Sequence, residues 1–406
     1  MSIDIQKIRN DFPVLSQEIY NGKPLVYLDN AATTQRPVQV EDLVASYYNQ
    51  GTGNIHRASH YLADKCTAAY EATRDRICEF LNAQKREEII LTKGTTDSVN
   101  LVAYSFGERF VEAGDEVIVS EMEHHSNIVP WQLMCQRRGA TLKMLPMNDA
   151  GELLVDQLDE LITDKTKIIS VTYISNVLGT VNPVKEIIAK AHAKNVAVMI
   201  DAAQAVQHLE VDVQDLDCDF LAFSGHKIYG PTGVGALYGK EKWLNEMPPY
   251  QGGGEMIDYV KFDGSTFNVL PYKFEAGTPN IIGVIGLGEA IKYVQEIGLQ
   301  AIYDYELELL KYTEEQLRKV EGIRIIGEAQ NKASVISFLH DKAHPYDLGM
   351  LLDKLGIAIR TGRHCADPIA DHYGITGTAR ASVAFYNTFE EIDLFIKAMN
   401  RVVGMF

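Results

Sequence analysis

DFLAFSGHKIYGPTGVG, residues 219–235, decides the fold and raises the first functional question. Its opening, Phe220-Leu221-Ala222-Phe223, is apolar without alternation. A short run of that kind reads as a strand buried on both faces, as in parallel sheets covered by helices. It breaks at once into Ser224, Gly225, His226 and Lys227, then a turn carrying Gly230, Gly233 and Gly235. Lysine seldom sits against a core. On a glycine-permitted turn beside a pocket, however, its amine can be desolvated and becomes a nucleophile for Schiff-base chemistry.

The same texture extends in both directions. Strand-length apolar runs are expected at 88–91, 116–120, 142–145, 168–172, 196–200 and 236–239, with helices between them at 62–81, 96–111, 131–138 and 184–194. Strand–helix alternation implies an α/β fold with a mostly parallel sheet covered on both faces. After about residue 295 the pattern changes. A long charged helix (301–320) is followed by strands at 323–326, 335–338, 358–360 and 380–382 and helices at 346–355 and 390–403. This gives a large domain over 25–295 and a smaller α+β domain built from 296–406 with residues 1–24 packed on it, the N-terminal piece having no sheet of its own.

Composition bounds the function. The 406 residues are 46% hydrophobic and 23% charged, which suits a globular chain with a sizeable core. A net charge of −17 disfavours nucleic acid and anionic membranes as partners. No apolar run approaches the roughly 20 residues that span a bilayer. The N-terminus, MSIDIQKIRNDFPVL, lacks the apolar centre of a signal peptide and the Arg/Ser bias of a transit peptide, so a cytoplasmic protein, or the mature form of an imported one, is expected. The five cysteines, 66, 78, 135, 218 and 365, have irregular spacing and no CxxC, which suggests neither a disulfide framework nor a zinc site.

In sheets of this class ligands sit beyond the carboxyl ends of the strands. Asp201 follows VAVMI there; a carboxylate at that depth needs a partner, either as a cap for the next segment or for a buried cationic nitrogen. Gln204 is three residues on. Gly94-Thr95-Thr96 follows EEIILT and opens a helix, offering N–H groups and hydroxyls to an anion, although threonine is also an ordinary cap. His124 and His125 follow strand 116–120; adjacent residues on extended chain point opposite ways, so a flat imidazole stacked on an aromatic ligand suits His124 better than a metal does. An anion cradle, a stacking ring, a carboxylate and a Schiff-base lysine together match pyridoxal 5′-phosphate.

DAAQAV at 201–206, FSGHKIYGPTGVG at 223–235, EMEHHSNIVPW at 121–131 and RTGRHCADP at 360–368 resemble the class V aminotransferase-like enzymes. More narrowly they resemble the SufS-type (group II) cysteine desulfurases and selenocysteine lyases, and the likeness runs from FPVL at 12–15 through YLDNAATTQRP at 27–37 to ARASVAFYNT at 379–388. The resemblance implies a fold-type I transferase with pyridoxal 5′-phosphate bound by Lys227, Asp201 against its ring nitrogen, Gln204 on its phenolic oxygen and His124 stacked on it. Thr95, Thr96, Ser224 and His226 would hold the phosphate, with Thr278 reaching the other subunit of a homodimer. Asn176 and Arg380 would bind the substrate carboxylate, Arg360 would sit near the sulfur, and His56 would lie in the same pocket. Cys365 would take sulfur from L-cysteine, or act on L-selenocysteine, and pass sulfur to an acceptor protein of SufE or SufU type for iron–sulfur cluster assembly. Segment 255–272 is expected as a hairpin that shields the persulfide and meets the acceptor.

Arg363 departs from the His or Gln expected in RTGxHC, which touches loop detail or partner choice and leaves the chemistry intact. Arg360 and Arg363, close in sequence, are expected to favour the Cys365 thiolate. Two other readings stand beside this one. A transaminase or kynureninase-like hydrolase of the same fold would use Lys227 but not Cys365, and a non-catalytic scaffold would bind no cofactor.

Overall fold

The structure, a computed structural model, describes residues 3–20 and 22–406. A seven-stranded sheet runs in the order Ile89–Thr92, Gly235–Gly239, Phe220–Ser224, Ala197–Asp201, Thr166–Thr172, Glu116–Ser120, Thr141–Leu145. Only Gly235–Gly239 is antiparallel to its neighbours; the other pairs are parallel. Phe220–Ser224 is buried at every position, as its continuous apolar run requires. The period of two divides it between two cores: Leu221 and Phe223 join one apolar cluster, Phe220 and Ala222 the other.

A second sheet of four antiparallel strands follows, ordered Ile323–Ile326, Val335–His340, Thr378–Ser382, Arg360–Gly362. Its own apolar cluster includes Phe338, Leu348 and Phe395. Val26 and Leu28, on the large-domain side of the division read from sequence, pack in this cluster as well.

Three features differ from the sequence reading. The expected strand 358–360 is two short strands in different sheets: Ile357–Ala358 pairs in parallel with Val26–Tyr27, and Arg360–Gly362 joins the four-stranded sheet. The N-terminal segment does have a sheet, since Glu18–Ile19 pairs with Lys23–Pro24. Two long helices, Val38–Gln50 and Ile281–Ile297, and several short ones carry no expectation. Of the long pair, the second is masked by its glycines, which serve contact: a Cβ on Gly288 would meet Thr73 Oγ1 at 2.4 Å, and one on Gly286 would meet Pro231 Cγ at 2.7 Å. Residues 255–272 contain the expected hairpin, Ile257–Lys261 with Gly264–Phe267.

Candidate active site

One cavity of about 250 Å³ opens at the carboxyl ends of the central strands. It is lined by Thr95, Thr96, His124, Asp201, Gln204, Ser224, His226 and Lys227 from the large sheet's loops, and by Arg360, Cys365 and Arg380 from the second sheet, with Asn176 between. Twelve expected side chains from distant segments therefore meet in one place. Two do not. Thr278 is exposed and His56 is half-buried, and neither lines this cavity. His56 instead sits in a separate cluster, its Nε2 3.0 Å from Glu71 Oε1 and its Nδ1 3.8 Å from Glu255 Oε2. His56 is expected in the same pocket, and in the single chain it lies apart from this cavity.

Lys227 ends the 3-10 turn Gly225–Lys227, which directly follows strand Phe220–Ser224. The turn is clamped by a segment the sequence reading gave no role. Thr34 N donates to the His226 carbonyl at 3.0 Å, and Thr34 Oγ1 accepts from Tyr229 N at 2.8 Å. Burial pulls the Lys227 amine down to about 8; Asp201 opposes this, while Arg380 and Arg360 add to it.

Asp201 stands opposite Thr172 and Ala222 in the sheet register and is buried. Its Oδ1 accepts from Ala203 N at 2.9 Å, so the cap and the site role coexist. Burial pushes its carboxyl up, and Lys227 opposes that shift. Gln204 Nε2 donates to the Ala31 carbonyl at 2.6 Å. His124 is pulled down to about 4 by burial and by Lys227, which leaves a neutral, flat ring on the cavity wall. Its Nδ1 contacts Ser126 Oγ at 2.8 Å. Beneath it Glu123, unnoticed in the sequence, is fully buried and raised to about 8 by burial. Glu123 accepts from Asn127 Nδ2 at 2.6 Å and from Thr172 N at 2.9 Å.

The anion cradle lies where helix Thr95–Phe110 begins. Gly94 caps it with no side-chain bond, at φ 136°; the Thr95 N–H goes to Ser224, while the Thr96 N–H has no partner among the described residues at this dipole end. Ser224 Oγ accepts from Thr95 N at 2.9 Å and lies 2.9 Å from Thr95 Oγ1. A Cβ on Gly235 would sit 2.6 Å from Gly94 Cα, so that close approach needs glycine. Burial pulls His226 down to about 4, with Lys227 contributing.

Arg380 is buried, with Nη1 donating to the Asn176 carbonyl at 2.8 Å and Nη2 to Asp29 Oδ1 at 3.0 Å; its Nε has no protein partner. Asp29, inside YLDNAATT, is a further residue missed in the sequence. Asn176 Nδ2 donates to the His364 carbonyl at 2.8 Å, which ties it to the cysteine loop. His364 and Cys365 both have left-handed backbones, φ 54° and 56°, and the Cys365 side chain is exposed at the cavity edge. Arg363 turns away: its Nη1 bonds Asp367 Oδ1 at 3.0 Å and Asp371 Oδ1 at 2.9 Å, so its charge is engaged outside the cavity rather than at the thiol.

The model of the family Aminotransferase class-V matches residues 26–395. The chain belongs to that family. It is 49% identical over 403 residues to a cysteine desulfurase of Cronobacter sakazakii, covering 99% of each chain. It is 48% identical over 402 residues to a cysteine desulfurase of Synechococcus elongatus, covering 99% of this chain and 64% of that one. The crystal structure of the Escherichia coli cysteine desulfurase CsdA superposes with a TM-score of 0.93 at 40% identity, covering 100% of both chains. The cofactor of such class V enzymes is pyridoxal 5′-phosphate, and the donor set suits it. The open amide of Thr96 with the hydroxyls of Thr95 and Ser224 fits a phosphate, the buried Asp201 fits a protonated ring nitrogen, and Lys227 carries an amine drawn down to about 8.

Proposed function

We propose that the protein is a cysteine desulfurase of SufS type, converting L-cysteine to L-alanine and holding the released sulfur as a persulfide on Cys365. The observation that carries this is that Cys365, Lys227 and Arg380 line one cavity. The two relatives and the E. coli structure named above bear the same activity in their names.

Pyridoxal phosphate bound here supplies an electron sink for charge developing at the substrate α-carbon. Lys227 anchors it and moves the α-proton; an amine drawn down to about 8 can take up and return a proton near neutral pH. Asp201 would meet the ring nitrogen, Gln204 the phenolic oxygen, and neutral His124 would stack on the ring. Thr95, Thr96, Ser224 and His226 hold the phosphate. Arg380 and Asn176 grip the substrate carboxylate, for which the unpartnered Nε of Arg380 leaves donor capacity. Arg360 stands beside the sulfur. The Cys365 thiolate attacks the substrate sulfur: an S–S bond forms, the Cβ–S bond breaks, and its electron pair stays on carbon. That carbon takes a proton and leaves as alanine. With L-selenocysteine the Cys365 thiolate takes the selenium in the same way, an S–Se bond forming on Cys365 as the Cβ–Se bond breaks and alanine leaves; selenide follows only when a thiol reductant cleaves that S–Se bond.

The account extends to a homodimer with a large domain at 25–295 and a small one from 1–24 and 296–406. Thr278 and His56, which miss their own cavity, then serve the site of the other copy. Hairpin Ile257–Phe267, with Tyr259, Val260 and Phe262 exposed, shields the persulfide and meets an acceptor of SufE or SufU type. The persulfide feeds iron–sulfur cluster assembly through a SUF-type system in the cytoplasm. Among the described residues no helix is long and apolar enough to cross a membrane. The test is L-alanine release from L-cysteine by wild type and Cys365→Ala: loss in the variant is expected, and full retention would favour a thiol-independent enzyme of the same fold.

A further inference from the structure

His125, the second member of the histidine pair, is used by none of the roles above. It opens the 3-10 turn His125–Asn127 and does not line the cavity. Its backbone and its ring both bond the cysteine loop. Its backbone N–H donates to the Cys365 carbonyl at 2.7 Å. Its Nε2 lies 2.6 Å from Asp367 Oδ2 and 3.3 Å from the Asp367 backbone N, so the ring meets both the carboxylate and the amide of that residue. Arg363 holds the other oxygen of Asp367 at 3.0 Å. On the inner flank, His364 is buried with Nε2 2.9 Å from Thr378 Oγ1, and its carbonyl accepts from Asn176.

The loop needs such restraint. Consecutive left-handed non-glycine residues are strained, and they persist where the surroundings over-determine them. Here both flanks of Cys365 are gripped while its own side chain stays exposed.

We propose that His125 is a positioning residue for Cys365, clasping the cysteine loop to the turn that also carries His124. The inference rests on the reading of Cys365 as the sulfur-accepting nucleophile. The clasp keeps the cofactor wall and the nucleophile in one frame, so the thiol stays aimed at the substrate sulfur.

The test compares wild-type and His125→Ala holoenzyme by hydrogen exchange across residues 360–372, by kcat and KM for alanine release, and by the cofactor absorption. We expect faster exchange confined to that segment, a kcat about tenfold lower, and an unchanged KM and cofactor band. His125→Gln, which can still donate to Asp367, should recover most of kcat, and Asp367→Ala should loosen the same segment. Unchanged exchange and kcat in His125→Ala would overturn the clasp. So would exchange raised throughout the chain with loss of cofactor, which would make His125 a folding residue. Failure of the underlying reading shows separately, as wild-type alanine release by Cys365→Ala.

Discussion

Arg360 and Arg380 stand directly opposite each other on antiparallel strands, and both line the cavity. Like charges so placed repel. Asp29 bonds Arg380 and offsets one of them, while the pair together makes the cavity mouth attractive to anions. The arrangement suits a substrate with a carboxylate at one end and a sulfur that becomes negative at the other.

Arg380→Lys should raise KM for L-cysteine about tenfold or more. Lysine keeps the charge but loses the planar fork, and a hydrogen bond to a charged group is worth about 1.5–3 kcal/mol. Steady-state alanine release measures this. A KM equal to wild type would remove Arg380 from carboxylate binding.

Cofactor uptake should depend on pH through Lys227. Its amine, drawn down to about 8 by burial, is mostly protonated below that pH and mostly neutral above it. Only the neutral amine condenses with the cofactor aldehyde. The rate at which cofactor-stripped protein regains its visible absorption should therefore climb through about pH 8 and then level. His124, held at about 4, stays neutral throughout and adds no second step. A rate that is flat across pH 8 would contradict the assignment.

Thr34→Val tests the clamp on the lysine turn. Valine matches the shape but leaves the Tyr229 N–H without its acceptor in a buried setting. An orphaned buried donor costs about 1–3 kcal/mol. Denaturant unfolding of the holoenzyme should show that loss, and a change under about 0.5 kcal/mol would deny the clamp.

Gly288→Ala should destabilise the protein although alanine is the better helix former. The added methyl would meet Thr73 Oγ1 at 2.4 Å and Thr73 Cβ at 3.2 Å. Overpacking of this kind costs about 1–3 kcal/mol, against a propensity gain of about 1 kcal/mol. Thr73→Ala combined with Gly288→Ala should recover stability, and additivity of the two changes would refute the contact.

These cases mark what sequence could and could not reveal. Lys227 and Asp201 were legible because each ends an apolar run with a residue whose burial needs a reason. Asp29 and Thr34 were not, because their function lies in partners 351 and 192 residues away that only the fold brings near. Glu123 was hidden beside the more conspicuous histidines. Helix Ile281–Ile297 was obscured by glycines whose purpose is contact with a helix more than two hundred residues earlier. His56 came by resemblance alone, and its own chain places it against Glu71 instead of in the cavity. The sequence shows one strand at 358–360 where the fold has two, Ile357–Ala358 and Arg360–Gly362, because two residues in one sheet and three in another form no period that a sequence can display.

The most direct test of the account is the mass of the Cys365-containing peptide after holoenzyme has turned over L-cysteine without a sulfur acceptor. One additional sulfur atom is expected on that peptide, removable by a thiol reductant and absent when L-alanine replaces L-cysteine. An unmodified Cys365 peptide, with alanine nonetheless released, would contradict it.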